Sequence, residues 1–384
     1  MLPVLVLSLT AGTAGASGAG KVSNYVAPGI NSPRGIAAGP DGALWFTNYD
    51  GDSIGRITTA GKVTNYTGTG ISHPEGITAG PDGAMWFTNE GSNSIGRITT
   101  AGKVTDYTGT GILEPQGIAV GPDGALWFTN TENSSIGRIT TAGKVTNYTG
   151  TGISYPNGIA AADGALWFTN TDNNSIGRIT IAGNVSNYTG TGISGPYGIA
   201  AADGALWFTN FDNNSIGRIT TAGNISNYTG TGIESPWGIA AGPDGALWFS
   251  NFYGYIGRIS TAGKVTNYTS TSISDPRAIT VGSDGALWFT NSESPGSIGR
   301  ITTNVTPEIS GFSPGSGAVG AKVTITGQNL AGGTKVEIDG TQASIVSEAP
   351  SQLVVTVPHA ARSGHISVTT KVGTATSPQT FTVT

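Results

Sequence analysis

Along the first 303 residues the apolar positions fall in short runs, each ended within a few residues by Gly, Pro, Asp or Asn, and none continues at helical spacing for three turns. The stretch 117–148 shows the pattern in one copy. Gly117-Ile118-Ala119-Val120 reads as a short strand, Pro122-Asp123-Gly124 as a tight turn whose Gly accepts positive φ, and Ala125-Leu126-Trp127-Phe128-Thr129 as the antiparallel return. After a polar loop, 135–140 reads as a third strand, Ala142-Gly143 as a turn, and 144–148 as a fourth strand. The expectation is an all-β chain of four-stranded units.

The unit repeats. Trp-Phe-(Thr/Ser)-Asn occurs seven times, with Trp at 45, 86, 127, 167, 207, 248 and 288, and Ile-Gly-Arg-Ile follows each Trp by eight to ten residues. A period near 40 fits four-stranded propeller blades, as opposed to about 34 for helical repeats or about 20 to 29 for leucine-rich ones. The last copy stops at Ile301-Thr302-Thr303 without its fourth strand, whereas the chain begins with a spare Gly20-Lys21-Val22-Ser23-Asn24-Tyr25. Pairing the two would close the ring and remove the sheet edges that an open array exposes. The fold class expected is therefore all-β: a seven-bladed β-propeller over 20–304, closed by the N-terminal strand, then an immunoglobulin-like β-sandwich over 305–384.

Residues present in every copy take structural readings. The Trp-Phe pairs fill the space between blades, the Asp residues at 41, 82, 123, 163, 203, 244 and 284 form turns before Gly, and the Arg of Ile-Gly-Arg-Ile is read as a surface or inter-blade hydrogen-bonding group. From Pro307 the period disappears and alternating Val, Ile, Ser and Thr runs take over, among them Ile325-Thr326-Gly327-Gln328-Asn329-Leu330. This segment resembles the TIG family of immunoglobulin-like domains, which implies a spacer or adhesive module. His359 and His365 are isolated there and read as surface residues.

Composition narrows the partners. Only 11% of residues are charged and the formal charge is -5, so no basic surface exists for nucleic acid. No cysteine is present, which excludes disulfides and thiolate metal sites. The apolar run 2–9 followed by Ala14-Gly15-Ala16 reads as a signal peptide over 1–19, although no Lys or Arg precedes Lys21. The reading is a bacterial secreted or cell-surface protein, monomeric, with no membrane insertion, since no later stretch has the 18 or more apolar residues of a span.

Strand direction brings the x-Pro-x-Gly-Ile loops and the Asn after Trp-Phe-Thr to one rim, and the x positions vary against a uniform background: Ser32 and Arg34, His73 and Glu75, Glu114 and Gln116, Tyr155 and Asn157, Gly195 and Tyr197, Ser235 and Trp237, Asp275 and Arg277. Variation confined to one face marks a candidate binding rim, with drift in solvated loops as the plain alternative. The whole stretch 21–303, with Gly-Pro-Asp-Gly-x-Leu-Trp-Phe-Thr and Ile-Gly-Arg-Ile, is similar to the virginiamycin B lyase family. That resemblance implies a seven-bladed propeller and an elimination across an ester of streptogramin B antibiotics, using a metal ion and a histidine base carried by Glu-Pro-His-Gly-Ile and Trp-Phe-x-Glu, with a substrate-contacting histidine one blade earlier. Matched onto the last blade, Asp275 replaces the first carboxylate, Arg277 stands at the base, Asn291 at the second carboxylate and Trp237 at the substrate histidine.

Three functions are weighed. The first is a non-catalytic module binding a glycan or small polar molecule through Trp237, Tyr197 and Tyr155, flanked by Asp275, Asn157 and Arg277, without a cofactor. The second is an enzyme, a lyase with a relocated site (with magnesium) or another hydrolase, using Glu75, Glu114, His73 or Asp275. The third is a structural surface protein.

Overall fold

The computed structural model describes residues 20–303, 306–328, 330, 333–349, 352–370 and 373–384. The expected signal peptide at 1–19 and the expected domain boundary at 304/305 lie outside them. Seven four-stranded antiparallel sheets follow one another in the chain. Blade 1 consists, from the inside outward, of Pro33–Ala38, Leu44–Asn48, Ser53–Ile57 and Val63–Thr67. The innermost strands of blades 2 to 7 are Pro74–Ala79, Pro115–Val120, Pro156–Ala162, Pro196–Ala202, Pro236–Ala241 and Pro276–Val281, and each contacts its neighbours around a channel, blade 7 meeting blade 1. The fourth strand of blade 7 is Val22–Tyr25, antiparallel to Ser297–Ile301 with Val22 opposite Ile301. Ring closure by the N-terminal strand, as expected, leaves no propeller edge at the seam.

Each Trp-Phe pair faces two blades. Trp45 packs with Phe87 and Ile77 of blade 2, and Trp288 packs with Phe46 of blade 1, so an apolar cluster fills every inter-blade gap. Cross-strand from each Phe is the Gly of Ile-Gly-Arg-Ile. Phe46 lies opposite Gly55, where a Cβ would fall 2.1 Å from the ring.

A second set of contacts joins the blades at the channel. The Thr47 hydroxyl accepts the Gly35 amide of its own blade at 2.8 Å and donates to the Glu75 carbonyl of the next at 2.7 Å. The same relay runs from Thr88 to Gln116, Thr129 to Asn157, Thr169 to Tyr197, Thr209 to Trp237 and Ser250 to Arg277, and Thr290 closes it on the Arg34 carbonyl. The approach is tight. A Cβ on Gly35, Gly76, Gly117, Gly158, Gly198 or Gly238 would sit 2.4 to 2.5 Å from the carbonyl oxygen of the following blade. The seventh position is Ala278, and its amide lies 3.1 Å from Thr290 Oγ1, a looser contact than the 2.8 to 2.9 Å of the other six.

The opposite end of the ring is tied within each blade. In blade 1 Asp41 Oδ1 accepts Trp45 Nε1 at 3.0 Å and Oδ2 accepts Arg56 Nε at 2.7 Å. Asp82, Asp123, Asp244 and Asp284 do the same. Of the two readings the sequence offered, surface or inter-blade, the repeated Arg is not inter-blade: it is partly exposed and bonds inside its blade, because register sets it opposite the Trp. Partial burial opposes ionisation of Asp41, Asp82 and Asp123, but the bonds from Trp, Arg and the Ala amide prevail and hold each carboxyl below its usual value. Blades 4 and 5 depart from this. Their turns are one residue shorter, Asp163 and Asp203 adopt φ of 50°, and Trp167 Nε1 and Trp207 Nε1 are buried without an acceptor among the described residues. Ala162 and Ala202 join the apolar clusters that hold those indoles, and each lost acceptor costs about 1–3 kcal/mol.

The C-terminal unit sets Glu308–Ser313, Lys322–Gln328, Gln352–Thr356, Thr341–Ala349, Gly333–Ile338, Gly364–Thr370 and Gly373–Val383 side by side, with Ser316–Gly317 parallel to the last. The sheet wraps until its first strand meets Gly373–Val383, enclosing Val323, Ile325, Val336, Leu353, Val355, Ile366 and Phe381. This is the expected immunoglobulin-like architecture.

Two outcomes follow. Gly117→Ala destabilises the propeller by about 1–3 kcal/mol in urea unfolding, because a methyl must displace the Asn157 carbonyl, whereas Ala278→Gly changes the unfolding free energy by less than about 1 kcal/mol. The lowered carboxyls of Asp41, Asp82 and Asp123 contribute stability that is complete above the unfolded value near pH 4 and is lost as pH falls through the folded values. Thermal unfolding from pH 7 to pH 2 will show that decline, and Asp123→Asn will shallow it.

Candidate functional site

The inner strand of every blade bulges after its Pro, as between Pro33 and Ile36, and the bulge places the residue following Pro at the channel. Arg34, Glu75, Gln116, Asn157, Tyr197, Trp237 and Arg277 line a cavity of about 150 Å³, one from each blade. The residue preceding Pro takes a different place. Ser32, His73, Glu114, Tyr155, Gly195, Ser235 and Asp275 have φ of 42 to 53° and form an outer lip that does not line the cavity. Their left-handed backbone is held from the neighbouring blade: Asp52 Oδ1 accepts the His73 amide and Asn93 Oδ1 the Glu114 amide, each at 2.7 Å. Before Asp275 and Ser32 the capping position is Gly254 or Gly296, so no side chain serves there.

Blades 5 to 7 build an aromatic sector. The Trp237 ring lies 4.0 Å from Tyr197, 5.5 Å from Phe211 and 6.4 Å from Phe252, and the Arg277 guanidinium sits 4.3 Å over it. Arg277 Nη2 donates to Asp275 Oδ2 at 3.2 Å, while Nε and Oδ1 approach to 3.2 Å without hydrogen-bond geometry. Burial pushes the Tyr197 phenol up to about 12 against the pull of Arg277 and Arg34. Blades 1 to 3 build a polar sector. Arg34 pairs with Glu75 and stacks 3.4 Å over Tyr49, Tyr49 meets His73 at 4.8 Å, and Gln116 Nε2 donates to Glu90 Oε2 at 3.3 Å. Burial lowers the Arg34 pKa.

Of the sequence-derived candidates, Trp237, Tyr197, Arg277, Glu75 and Asn157 converge on the cavity. Asn157 is only 5% exposed, and its amide is bound to Thr171 Oγ1 at 2.8 Å, so it packs the wall. Asp275 reaches the cavity only through Arg277. Tyr155, His73 and Glu114 stand on the lip, and Tyr155 makes no ring contact with Tyr197 or Trp237 among the described residues. The Asn after Trp-Phe-Thr does not belong to the rim surface: Asn48 and its counterparts are buried and spend their amides on the connection and strands around them. It is the next residue that reaches the mouth, as Tyr49, Glu90, Phe211 and Phe252. These were missed, although the position varies as Tyr49, Glu90, Thr131, Thr171, Phe211, Phe252 and Ser292, the same signal that marked the x positions.

The residues do not fit a divalent cation. Both Asp275 oxygens face Arg277, Asn291 Oδ1 accepts the Ser274 amide at 3.2 Å, and its Nδ2 donates to Asn24, Ser272 and Ser297. No group of three His, Cys, Asp or Glu that could hold a metal occurs among the described residues. Carboxylates nonetheless dominate this end of the ring: Asp50, Asp52, Glu75, Glu90, Glu114, Glu132, Asp172, Asp212, Glu234, Asp275 and Glu293 stand there against Arg34 and Arg277, a formal charge of -9.

A family model described as the virginiamycin B lyase family matches residues 13–149, 72–234 and 202–341, and one described as the IPT/TIG domain matches 307–383. Among solved structures, a streptogramin B lyase is 32% identical with a TM-score of 0.68, covering 74% of this chain and 99% of its own. A catalytically inactive histidine-to-alanine variant of virginiamycin B lyase from Staphylococcus aureus, with quinupristin, is 35% identical with a TM-score of 0.69, covering 73% and 99%. No match was found among the curated proteins.

Seven of the eight tryptophans are fully or almost fully buried, which leaves Trp237 as the one at the mouth. Acrylamide quenching will therefore find a single accessible class of indole, and Trp237→Phe will abolish it.

Proposed function

We propose, on the premise that the chain belongs to the virginiamycin B lyase family, that it uses the family's propeller as a secreted or cell-surface, monomeric binding module rather than as a lyase. The observation that carries this reading is the Asp275–Arg277 pair in blade 7. A guanidinium stands where the resemblance requires the base, stacked on Trp237 and held by Asp275. It stays protonated at any working pH and cannot take a proton from carbon. His73 offers no replacement, since it sits on the lip of blade 2 against Tyr49. With Asn291 committed to its own blade, no divalent ion is called for.

The ligand is a glycan or a small polar molecule. A cavity of about 150 Å³ is below the roughly 300 Å³ at which pockets begin to enclose a whole ligand. Only one end of the ligand enters, stacking on Trp237 and Tyr197 and bonding to Glu75 or Gln116, while the rest lies over the lip.

Incubation of the full chain with a streptogramin B lactone and magnesium will return the lactone intact. Linear product that is lost on Asp275→Asn or His73→Ala would make the chain a lyase. On a glycan array, Trp237→Ala will weaken every authentic hit by about tenfold or more, the scale of losing a stacked aromatic.

A further inference from the structure

The net charge of -5 conceals a strong segregation. The rim end carries a formal -9, whereas at the other end the one repeated Asp and one repeated Arg of each blade balance in number and the turns add Lys21, Lys62, Lys103, Lys144 and Lys264. Part of the rim charge is spent on Arg34 and Arg277. Five of the other carboxylates form an outer ring. Asp50, Glu132, Asp172, Asp212 and Glu293 occupy one repeat position, two residues after the buried Asn, in five of the seven blades, and all five are exposed. Among the described residues none of them meets a cation. In blade 6 the same position is Tyr253, which is 66% exposed, and it shares this face with Tyr155 at 40%. No other Phe, Tyr or Trp of the described residues is so open.

We infer that this face docks a basic polypeptide segment, whose arginine side chains seat between the outer carboxylates and the open tyrosine rings. The chain's own arginines show the chemistry. Arg34 and Arg277 each lie between a carboxylate and an aromatic face a few ångströms further in. The carboxylates also feel one another: burial and then the charges of Glu132 and Glu90 raise the Glu114 carboxyl, so an arriving cation relieves repulsion already present. Nucleic acid and anionic lipid surfaces carry the wrong sign. The inference goes beyond the binding reading above, because the ring lies outside the cavity.

The test uses the full chain and fluorescence anisotropy with a labelled nona-arginine peptide and a Gly-Ser peptide of equal length. The arginine peptide will bind and weaken by about tenfold or more between 50 and 300 mM salt, and the Gly-Ser peptide will not bind. A triple variant, Glu132→Gln with Asp172→Asn and Asp212→Asn, will weaken binding by about tenfold. A control triple in the C-terminal unit, Glu308→Gln with Glu337→Gln and Asp339→Asn, will leave it unchanged. Equal loss in both triples would reduce the effect to net charge and overturn the inference, as would equal binding of both peptides or none of either. Salt-sensitive self-association in sedimentation, abolished by the ring triple, would replace the peptide with the lysine face of a second copy. Trp237→Ala should leave peptide binding within about threefold of wild type, so failure here and failure of the glycan reading remain distinct.

Discussion

The hydroxyl in Trp-Phe-(Thr/Ser)-Asn holds the inner wall of the ring together. It accepts an amide from its own blade and donates to a carbonyl of the next, seven times, until Thr290 reaches Arg34 and the circuit closes. A carbonyl that close tolerates only hydrogen on the facing residue, which accounts for Gly at six of the seven positions. The aromatic clusters between blades supply the bulk of the apolar burial. The relay supplies the spacing, and it uses main-chain atoms on both sides of the hydroxyl.

Because those bonds are made by the backbone, the side chains after Pro, Asn157 apart, are free of structural duty. Arg34, Glu75, Gln116, Tyr197, Trp237 and Arg277 can differ from blade to blade without disturbing the wall that presents them. The same freedom lets Arg277 stand over Trp237 with the ring intact. Where the relay loosens, at Ala278, the lip also lacks its caps before Asp275 and Ser32, so both departures fall at the edges of blade 7. That blade carries Asp275 and Arg277, on which the proposed function rests.

Much of this was legible in the repeat. Seven copies, a missing last strand and a spare first one leave little choice of architecture, and the Trp, Phe and Asp present in every copy were read as structure, whereas the equally constant Asn was placed on the rim. Their pairings were less accessible. Arg56 and Asp41 are fifteen residues apart and meet only because the register sets Arg56 opposite Trp45. The bulge after Pro was also hidden, and with it the separation of the channel residue Tyr197 from the lip residue Tyr155. Phe211, Phe252, Tyr49 and Glu90 escaped because they follow a buried Asn and looked like loop. A search for the most variable position, rather than for the most chemically suggestive residue, would have found them.

Hydrogen exchange tests the relay most directly. The amides of Gly35, Gly76, Gly117, Gly158, Gly198 and Gly238 each donate to a hydroxyl at 2.8 to 2.9 Å, and that of Ala278 at 3.1 Å. Residue-resolved exchange on the native protein will find all seven as protected as the central strands, with Ala278 the fastest of the set. Exchange of these amides at the rate of the exposed turns, while the strands beside them stay protected, would contradict the account.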